Sequence, residues 1–400
     1  DPLVTGVQTC ALPIWFFLMT LFAGAAVATK LTAVIILPLA FLGLALHGRT
    51  HKNASRTLAQ CLMLVLGSLL ILSPWLARNY FFTGNPLAPF FMNIFGGETG
   101  MNWDMARSQL QFRYFSSFGM GHSILDFLSL PINLTFFSEL HSLKFDGKIG
   151  ILYLLLLPAL FGLNRRSYPA VIVFSVLLIF WFLQTQQVRL LAPAFAFLSV
   201  LLVTGLKQMF QKYSTGKKEK FFLTAILALG LLFNTSTIMK EWFHVNPLSY
   251  LLNKENREQF LTRQIRAYPS YQDANKMLSE KDKVLLIYMR NFGYLLDRPF
   301  YSDTFLEAHT LTKIIDKGVY AADIINRFKA RGITHALINF DYVFGKDSTL
   351  TIGERAIFKN FLTRHGEQLS AKNGFLLYRF MLDSKTGNQN KNSGFNFEGH

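Results

Sequence analysis

Residues 221–239 read FFLTAILALGLLFNTSTIM, and residues 240–259 directly after them read KEWFHVNPLSYLLNKENREQ. The first string carries no charge and has the length of about 20 residues that a helix needs to cross the hydrocarbon core of a bilayer. The second string is polar and charged. The chain therefore changes its solvent near residue 240. Apolar runs alternate with short basic loops before this point, and a water-soluble α/β pattern follows it.

The composition agrees with a chain divided between lipid and water. Apolar residues make up 51% of the 400 positions, and the formal net charge is +16. Residues 1–239 hold 17 Lys or Arg against 7 Asp or Glu, whereas residues 240–400 hold 23 against 17. Most of the positive excess thus lies beside the membrane, where basic loops set topology. Since no basic–aromatic recognition motif appears, we expect no nucleic-acid partner.

Seven apolar runs before residue 240 are candidate membrane helices. Several are shorter than the roughly 20 residues of a regular span, so tilt or flanking aromatic residues would have to compensate. Neither Gly nor Pro separates the first two runs at Lys30, and one bent helix is an alternative to two spans there. The runs are Trp15–Thr29, Leu31–Leu46, Leu58–Leu76, Ile149–Leu163, Pro169–Leu183, Leu190–Leu206 and Phe221–Met239.

The charges of the connecting loops predict the orientation. Loops 47–57, 164–168 and 207–220 are basic, and they alternate with loops 77–147 and 184–188, which carry no positive excess. Basic loops stay in the cytoplasm. We therefore predict a multi-pass α-helical membrane bundle in the bacterial inner membrane, followed by a small extracytoplasmic α/β domain in the periplasm.

The predicted domain boundaries follow from these patterns. The membrane domain covers 15–239 with its long external loop at 77–147, the α/β domain covers 240–383, and the polar Gly/Asn-rich tail 384–400 is expected to be disordered. The string VTGVQTCALPI before Trp15 resembles a translated sequencing adapter. We expect 1–14 to be non-native and the upstream part of the protein to be missing, the alternative being a genuine short start.

The external loop holds the first group of candidate site residues. Arg78 is expected at the outer interface, where a guanidinium can hold a phosphate through two hydrogen bonds. Gly84, Asn85 and Pro86 form a turn that is expected to shape a groove. Between residue 2 and residue 239, every acid except Glu219 lies in this loop, and the others are Glu98, Asp104, Asp126, Glu139 and Asp146. We expect any acid–base or metal chemistry of this half at the outer face.

Two further cations belong to the same predicted region. Arg189 starts a span after the uncharged external turn, and it is either an interfacial snorkelling residue or a contact for an anionic lipid. Lys30 comes to the outer side if the runs around it are two spans. Asp146, just before a span, is a weaker candidate for a polar contact.

After residue 240, apolar strands alternate with helical segments. We predict strands at Lys283–Tyr288, near Pro299–Ser302, at Ile333–Phe340 and at Phe375–Phe380, with helices at 291–296, within 304–315, at 321–330 and at 351–365. The order favours a small α/β sandwich with a partly parallel sheet. No glycine-rich phosphate loop or nucleophile elbow follows these strands, and no His or Cys residues show metal-ligand spacing.

Four strings in the membrane half resemble the later helices of GT-C superfamily glycosyltransferases that use a phospholipid carrier, a group similar to protein mannosyltransferases and aminoarabinose transferases. They are GAAVATKLTAVIILPLA (24–40), PWLARNYFFTGNPLAPF (74–90), FDGKIGILYLLLLPAL (145–160) and VRLLAPAFAFL (188–198). The α/β half looks like the C-terminal periplasmic domain of many of these enzymes. The resemblance covers residues 15–380.

The resemblance implies an enzyme that moves a sugar from a polyprenyl-phosphate carrier to a lipid, glycan or protein acceptor on the outer face of the membrane. It implies Arg78, Arg189 and Lys30 as carrier-phosphate ligands. The family's catalytic acid, which serves as base or as ligand of a divalent metal, lies in a loop upstream of this chain, so its position here is unknown and the fragment is expected to be inactive. The alternatives are a non-enzymatic envelope protein that anchors an α/β binding domain and, third, a transporter or flippase.

Overall fold

The computed structural model describes residues 2–51, 54–96, 105–213, 216–303, 307–315 and 320–382. It divides into two compact units, Asp1–Lys240 and Glu241–His400. The predicted disordered tail 384–400 lies outside the described residues.

The first unit begins with three helices. Helix α1 spans Pro2–Thr29, a 3-10 turn follows at Leu31–Ile35, and α2 (Ile36–His51) and α3 (Ala54–Thr83) complete the group. The structure thus has two helices around Lys30 and not the single bent helix that the sequence also allowed. The prediction that 1–14 is non-native stays a prediction. Residues 2–14 form the first part of α1.

Helix α3 runs further than its apolar segment. It continues through Pro74 to Thr83, so the first residues of the predicted external loop 77–147 are helical. Gly84 then ends the helix with a φ of 73°, and its amide donates to the Tyr80 carbonyl at 2.8 Å. Glycine reaches this left-handed conformation without steric cost.

The remainder of the loop is partly helical. It contains α4 (Met92–Phe95), α5 (Met105–Ser116), α6 (Ile124–Ile132) and a π-helical turn at Asn133–Phe137. Ser123 and Asp126 form a capping box, in which each side chain accepts a hydrogen bond from the other residue's backbone amide. This box satisfies amides that the first turn of α6 leaves free.

The next apolar run is irregular. Helix α7 covers only Leu152–Leu156, and a 3-10 stretch follows at Leu157–Gly162. The candidate span Ile149–Leu163 therefore contains a short α-helix followed by a 3-10 stretch, because Pro158 has no amide hydrogen for the α-helical ladder. Helix α8 (Tyr168–Leu183), α9 (Val188–Tyr213) and α10 (Lys217–Val245) follow.

Four helices in the described part of the chain are long and apolar enough to cross a membrane: Ala54–Thr83, Arg165–Leu183, Val188–Lys212 and Lys217–Val245. The shorter apolar helices are Ile14–Thr29, Leu31–Leu46, Ile124–Phe137 and Leu152–Gly162. A helical, membrane-compatible first unit is thereby confirmed.

The second unit contains a five-stranded mixed sheet. Its strands are β1 (Val284–Ile287), β2 (Phe300–Ser302), β3 (His335–Asn339), β4 (Gly366–Lys372) and β5 (Phe375–Phe380), in the spatial order β2-β1-β3-β5-β4. The pairs β1–β2 and β1–β3 are parallel, whereas β3–β5 and β4–β5 are antiparallel. The partly parallel sheet of the prediction is present.

Helices cover both faces of this sheet. One core joins Leu285 and Ile287 to α14 (His309–Ile314), α15 (Ala321–Ala330) and α17 (Ile352–His365). The other core joins Val284 and Leu286 to α13 (Tyr268–Met277). Because β1 is covered on both sides, its side chains are all apolar and do not alternate with polar ones. The remaining helices are α11 (Pro247–Leu251), α12 (Arg257–Gln264) and α16 (Phe340–Phe344).

Candidate functional site

Lys30 and Arg189 line one cavity of about 270 Å³ in the first unit. We name it the Lys30–Arg189 cavity. Its walls are mostly apolar and come from the chain after Lys30, from α8 and from α9; they include Ile35, Ile36, Leu177, Phe180, Leu190 and Pro193. Two of the three cations that the sequence singles out therefore meet at one site, although 158 positions of sequence separate them.

The break between α1 and α2 places Lys30 at the cavity. Its backbone is extended, with φ −154° and ψ 122°, and its carbonyl accepts from the Ala33 amide at 2.9 Å. Gly24 in α1 lies so close to α3 that an added Cβ would be 2.8 Å from Ile71 Cδ1 and 3.0 Å from the Cα of Ser68. This close packing fixes the end of α1 from which Lys30 emerges.

Arg189 is held from the first turn of α9. Its Nε and Nη2 both donate to the side-chain oxygen of Gln187, and its Nη2 lies 3.7 Å from a carboxylate oxygen of Asp146. The Arg189 side chain is still 63% exposed. The guanidinium thus has a fixed orientation and retains donors for a further partner.

Gln187 is itself fixed by the turn between α8 and α9. It is 2% exposed, and its carbonyl accepts from the Trp181 indole at 2.8 Å. The next amide, Val188, donates to the Phe145 carbonyl at 2.8 Å. The turn is therefore bound both to α8 and to the segment that leads into Asp146.

A second glutamine closes the same turn against the external loop. Gln186 donates to the Gly121 carbonyl at 2.6 Å and accepts from the Met120 amide at 3.3 Å. Gly119, with φ 108°, leaves the room for this side chain, because an added Cβ would overlap Gln186. Buried amides with satisfied hydrogen bonds specify one loop arrangement.

The electrostatics of the cavity favour an anion. Partial burial lowers the pKa of the Lys30 amine, and the charge of Arg189 lowers it further. Lys30 and Arg189 repel each other, and the Asp146 carboxylate, 3.7 Å from Arg189, partly balances their charge. An anionic group between them would relieve the remaining repulsion.

Arg78 lies elsewhere in the first unit. It is not among the residues lining the Lys30–Arg189 cavity, and its guanidinium carbon is 5.6 Å from the Trp75 ring centroid and 6.0 Å from that of Phe82. Such a cation–π arrangement is typical of an exposed arginine at the edge of an apolar surface. Of the three predicted phosphate-binding cations, Lys30 and Arg189 therefore share one cavity and Arg78 does not line it.

Gly84, Asn85 and Pro86 form a compact turn after α3. Asn85 is fully buried, its side-chain Nδ2 donates to the Phe90 carbonyl at 2.8 Å, and its side-chain oxygen accepts from the Leu87 amide at 2.9 Å. The carbonyl of Pro86 accepts from Asn79 at 3.2 Å. These contacts give Asn85 a structural role in ordering the chain to Gly96, with which it also bonds at 3.3 Å.

Asn85 orders the segment that follows it, and this segment lines a second cavity of about 320 Å³. Its lining comes from 89–92 and from α5, and Ser108 donates to the Pro89 carbonyl across it at 3.0 Å. The three turn residues do not line this cavity, so any influence on a groove is indirect. Glu98 and Asp104 lie outside the described residues.

Within the described ranges, no group of three or more His, Cys, Asp or Glu side chains could hold a metal ion. The divalent metal that the resemblance implies thus has no fitting ligand set among these residues.

Residues 12–196 match a family that is described only as a domain of unknown function, DUF8201. The matched segment includes Lys30, Arg189, Gln187 and Asp146. No curated protein matches this chain significantly.

Proposed function

We propose that the protein is a membrane glycosyltransferase of the GT-C type, which takes a sugar from a polyprenyl-phosphate carrier and transfers it to an acceptor at the outer face of the bacterial inner membrane. The observation that supports this proposal is the meeting of Lys30 and Arg189 in one apolar-walled cavity. A polyprenyl phosphate presents one anion at the end of a hydrocarbon chain, and the cavity offers cations beside apolar side chains.

The local geometry suits a phosphate. Arginine presents its donors in a planar fork that matches two phosphate oxygens, whereas lysine acts as a compact point charge. Gln187 occupies only one edge of the Arg189 guanidinium through Nε and Nη2. The apolar residues Ile36 and Leu177 line the same cavity and would contact the first isoprene units of the carrier.

The reaction would be a substitution at the sugar's anomeric carbon. An acceptor hydroxyl forms the new carbon–oxygen bond, the bond to the carrier phosphate breaks, and polyprenyl phosphate leaves with the electron pair. The hydroxyl proton passes to a carboxylate base, the residue type that the resemblance implies. Lys30 and Arg189 would stabilise the charge that develops on the leaving phosphate.

The loop charges support an outward-facing site. If loops 47–57, 164–168 and 207–220 are cytoplasmic, the Lys30 break and the α8–α9 turn both lie on the opposite side of the membrane. The α/β domain would then be periplasmic. Arg78, apart from the cavity, would contact phosphates of the surrounding lipids.

Photocrosslinking tests the proposal directly. The full chain in vesicles would be labelled with a photoactivatable polyprenyl phosphate, and the matching polyprenol without phosphate serves as the control ligand. We expect the Lys30→Gln, Arg189→Gln double variant to lose at least about tenfold in phosphate-dependent labelling, since each charged hydrogen bond is worth roughly 1.5–3 kcal/mol. Arg78→Gln is the matched single-charge control. Equal labelling of the double variant and the wild type would reject the assignment.

A second candidate is an envelope protein whose membrane part only anchors the α/β domain. The observation that favours it is that the second unit has hydrophobic cores of its own on both sheet faces. Sugar transfer from a radiolabelled carrier to a membrane fraction separates the two functions when it is measured on the protein with the upstream catalytic loop that the resemblance implies. Only the transferase predicts acceptor labelling that depends on Arg189.

A further inference from the structure

The chain beyond the apolar part of α10 carries a dense group of exposed apolar side chains. Six large apolar residues between positions 242 and 252 are each at least 42% exposed, and we name them the 242–252 surface. They are Trp242, Phe243, Leu248, Tyr250, Leu251 and Leu252. In the described chain after residue 252, no two exposed large apolar residues are neighbours in the sequence. Scattered exposed apolar residues are ordinary, whereas such a group indicates a binding surface.

The position of this surface in the chain indicates its partner. Helix α10 is among the helices that are long and apolar enough to cross a membrane, and it ends at Val245. Asn246, with a φ of 45°, turns the chain into the short helix α11 at Pro247. The 242–252 surface thus begins in the last turn of a candidate span and continues directly beyond it. Where a span leaves the hydrocarbon, Trp and Tyr concentrate at the level of the lipid headgroups.

Side chains of α12 satisfy the backbone carbonyls at the end of α10. Arg263 donates through Nη1 to the Val245 carbonyl at 2.9 Å and through Nη2 to the Asn246 carbonyl at 3.3 Å. Gln264 donates to the same Val245 carbonyl at 2.8 Å, and Glu255 holds Arg263 through an ion pair of 2.6 Å. The last carbonyls of a helix have no partner within it, and an unsatisfied carbonyl is costly where water is scarce. These contacts therefore lower the cost of placing the turn in a lipid interface.

The charges around this surface do not favour an anionic lipid. Residues 241–264 hold three basic and three acidic side chains, so their formal net charge is zero. They are Lys254, Arg257 and Arg263 against Glu241, Glu255 and Glu258. Clusters of basic residues bind anionic headgroups, whereas an uncharged surface binds lipid through the apolar area that it buries. We propose that the 242–252 surface inserts into the lipid interface where α10 ends, and that apolar contact and not headgroup charge drives this insertion.

Lipid insertion at this surface requires a membrane-spanning α10 and does not depend on sugar transfer. Nitroxide labels on the full chain in nanodiscs test it, after both native cysteines are replaced by serine. Leu251→Cys carries a label in the 242–252 surface, and Ile352→Cys, at the start of α17, is the matched control. The native side chains at the two positions are aliphatic and strongly exposed, at 64% and 79%.

Molecular oxygen concentrates in lipid, whereas a nickel chelate stays in water, so the ratio of their collision rates with a label measures the depth of that label. We expect this ratio at residue 251 to be several times that at residue 352, for a depth of about 5–10 Å within the headgroup and acyl boundary. Equal ratios at the two positions would overturn the proposal. A label at residue 251 that neither reagent reaches would also overturn it, because protein and not lipid would then cover the surface.

Leu231→Cys reports separately on the span, because Leu231 lies within α10 and is 54% exposed. A lipid-like ratio at residue 231 together with an aqueous ratio at residue 251 would overturn the proposed insertion and leave α10 as a span. Aqueous ratios at both positions would overturn the insertion and the span together.

Lipid composition tests the driving force. Nanodiscs of phosphatidylcholine alone are compared with nanodiscs that also contain phosphatidylglycerol. We expect the same depth at residue 251 in both, and the same depth at high salt, because ions screen only the contribution of charge. Insertion that needs the anionic lipid, or that is lost at high salt, would overturn the apolar mechanism.

Discussion

The side-chain oxygen of Gln187 accepts hydrogen bonds from both Nε and Nη2 of Arg189, at 3.0 and 2.8 Å. The acceptor is almost fully buried while the guanidinium is largely exposed. Gln187 therefore acts as a positioning residue, because it fixes the plane of the guanidinium without neutralising its charge.

Replacing Gln187 with leucine removes this orientation and preserves the size of the side chain. We expect phosphate-dependent carrier labelling to fall about threefold to tenfold, since a misoriented guanidinium weakens its charged hydrogen bonds without removing them, at a cost on the order of 1 kcal/mol. Thermal unfolding of the same preparation shows whether the variant is still folded, so that a loss of labelling can be assigned to binding. Gln111→Leu on α5 is a control outside the cavity, and an equal loss there would contradict the role of Gln187.

Asp146→Asn should have the opposite effect. The Asp146 carboxylate is 3.7 Å from Arg189 and partly offsets the positive charge at the cavity. Its removal raises the net positive charge, so carrier labelling should increase about twofold to fivefold at low salt, and the difference should shrink in 0.5 M salt because ions screen exposed charges. Weaker labelling at low salt would show instead that Asp146 orients Arg189.

Glu307 gives the second unit a defined pH dependence. Burial raises the pKa of this carboxyl from 4.5 to about 7, although the Arg290 amide and charge oppose the change. Because the folded-state pKa is raised, the associated stability is present below pH 4.5 and is lost as the pH rises through about 7.

The Glu307→Gln variant has no carboxyl to ionise, so it should not lose stability as the pH rises. We expect it to stabilise β1 by roughly 1–3 kcal/mol at pH 8 and to change little at pH 4.5. Hydrogen exchange of the Val284–Ile287 amides, corrected for intrinsic rates, measures the effect. A difference of the same size at both pH values would contradict the raised pKa.

Close packing of α9 against the 3-10 stretch Leu157–Gly162 depends on Gly205. A Cβ at this position would overlap the Ala159 carbonyl oxygen, which is backbone and cannot move independently. We expect Gly205→Ala to lower the melting temperature by several degrees, as overpacking costs roughly 1–3 kcal/mol. Gly43→Ala is the matched control, since nothing lies within 4 Å of its added methyl group, and it should be neutral or slightly stabilising.

The turn Asn373-Gly374 joins β4 to β5 with φ values of 53° and 82°. Gly374→Ala introduces a methyl group into a left-handed position and 2.9 Å from Asp341 Oδ2. We expect a destabilisation of roughly 1–2 kcal/mol, seen as faster hydrogen exchange in both strands. Unchanged exchange in β4 and β5 would mean that the hairpin does not depend on this turn.

The apolar strands of the second unit could be predicted because buried strands are rich in apolar residues. The strands β1, β3 and β5 are mainly apolar, and their positions agree with the prediction to within two residues. Strand β4 (GEQLSAK) was missed, because it is a polar edge strand and its Gly366 resembled only a helix stop. The dipeptide Asn373-Gly374 was the available signal, since it is the preferred turn of a two-residue hairpin.

The candidate site was only partly predictable for a related reason. Lys30 and Arg189 stand out as isolated charges beside apolar runs, and their meeting agrees with the prediction that both face one region. Gln187 carries no charge, and its role depends on contacts with Trp181 and Phe145 that no local pattern encodes. Arg78 has the same sequence signature as Arg189, so composition could not separate it from the pair.

The shorter apolar helix Leu31–Leu46 has 16 residues, which corresponds to a rise of about 24 Å against a hydrocarbon thickness of about 30 Å. In the proposed membrane orientation, a bilayer around this helix would become thinner on the side where Lys30 emerges, because headgroups would move inward to meet its charge. A carrier molecule arriving there would travel a shorter vertical distance to bring its headgroup to the two cations. The lipid composition of the host membrane, through its thickness, would consequently tune how readily the proposed carrier is captured.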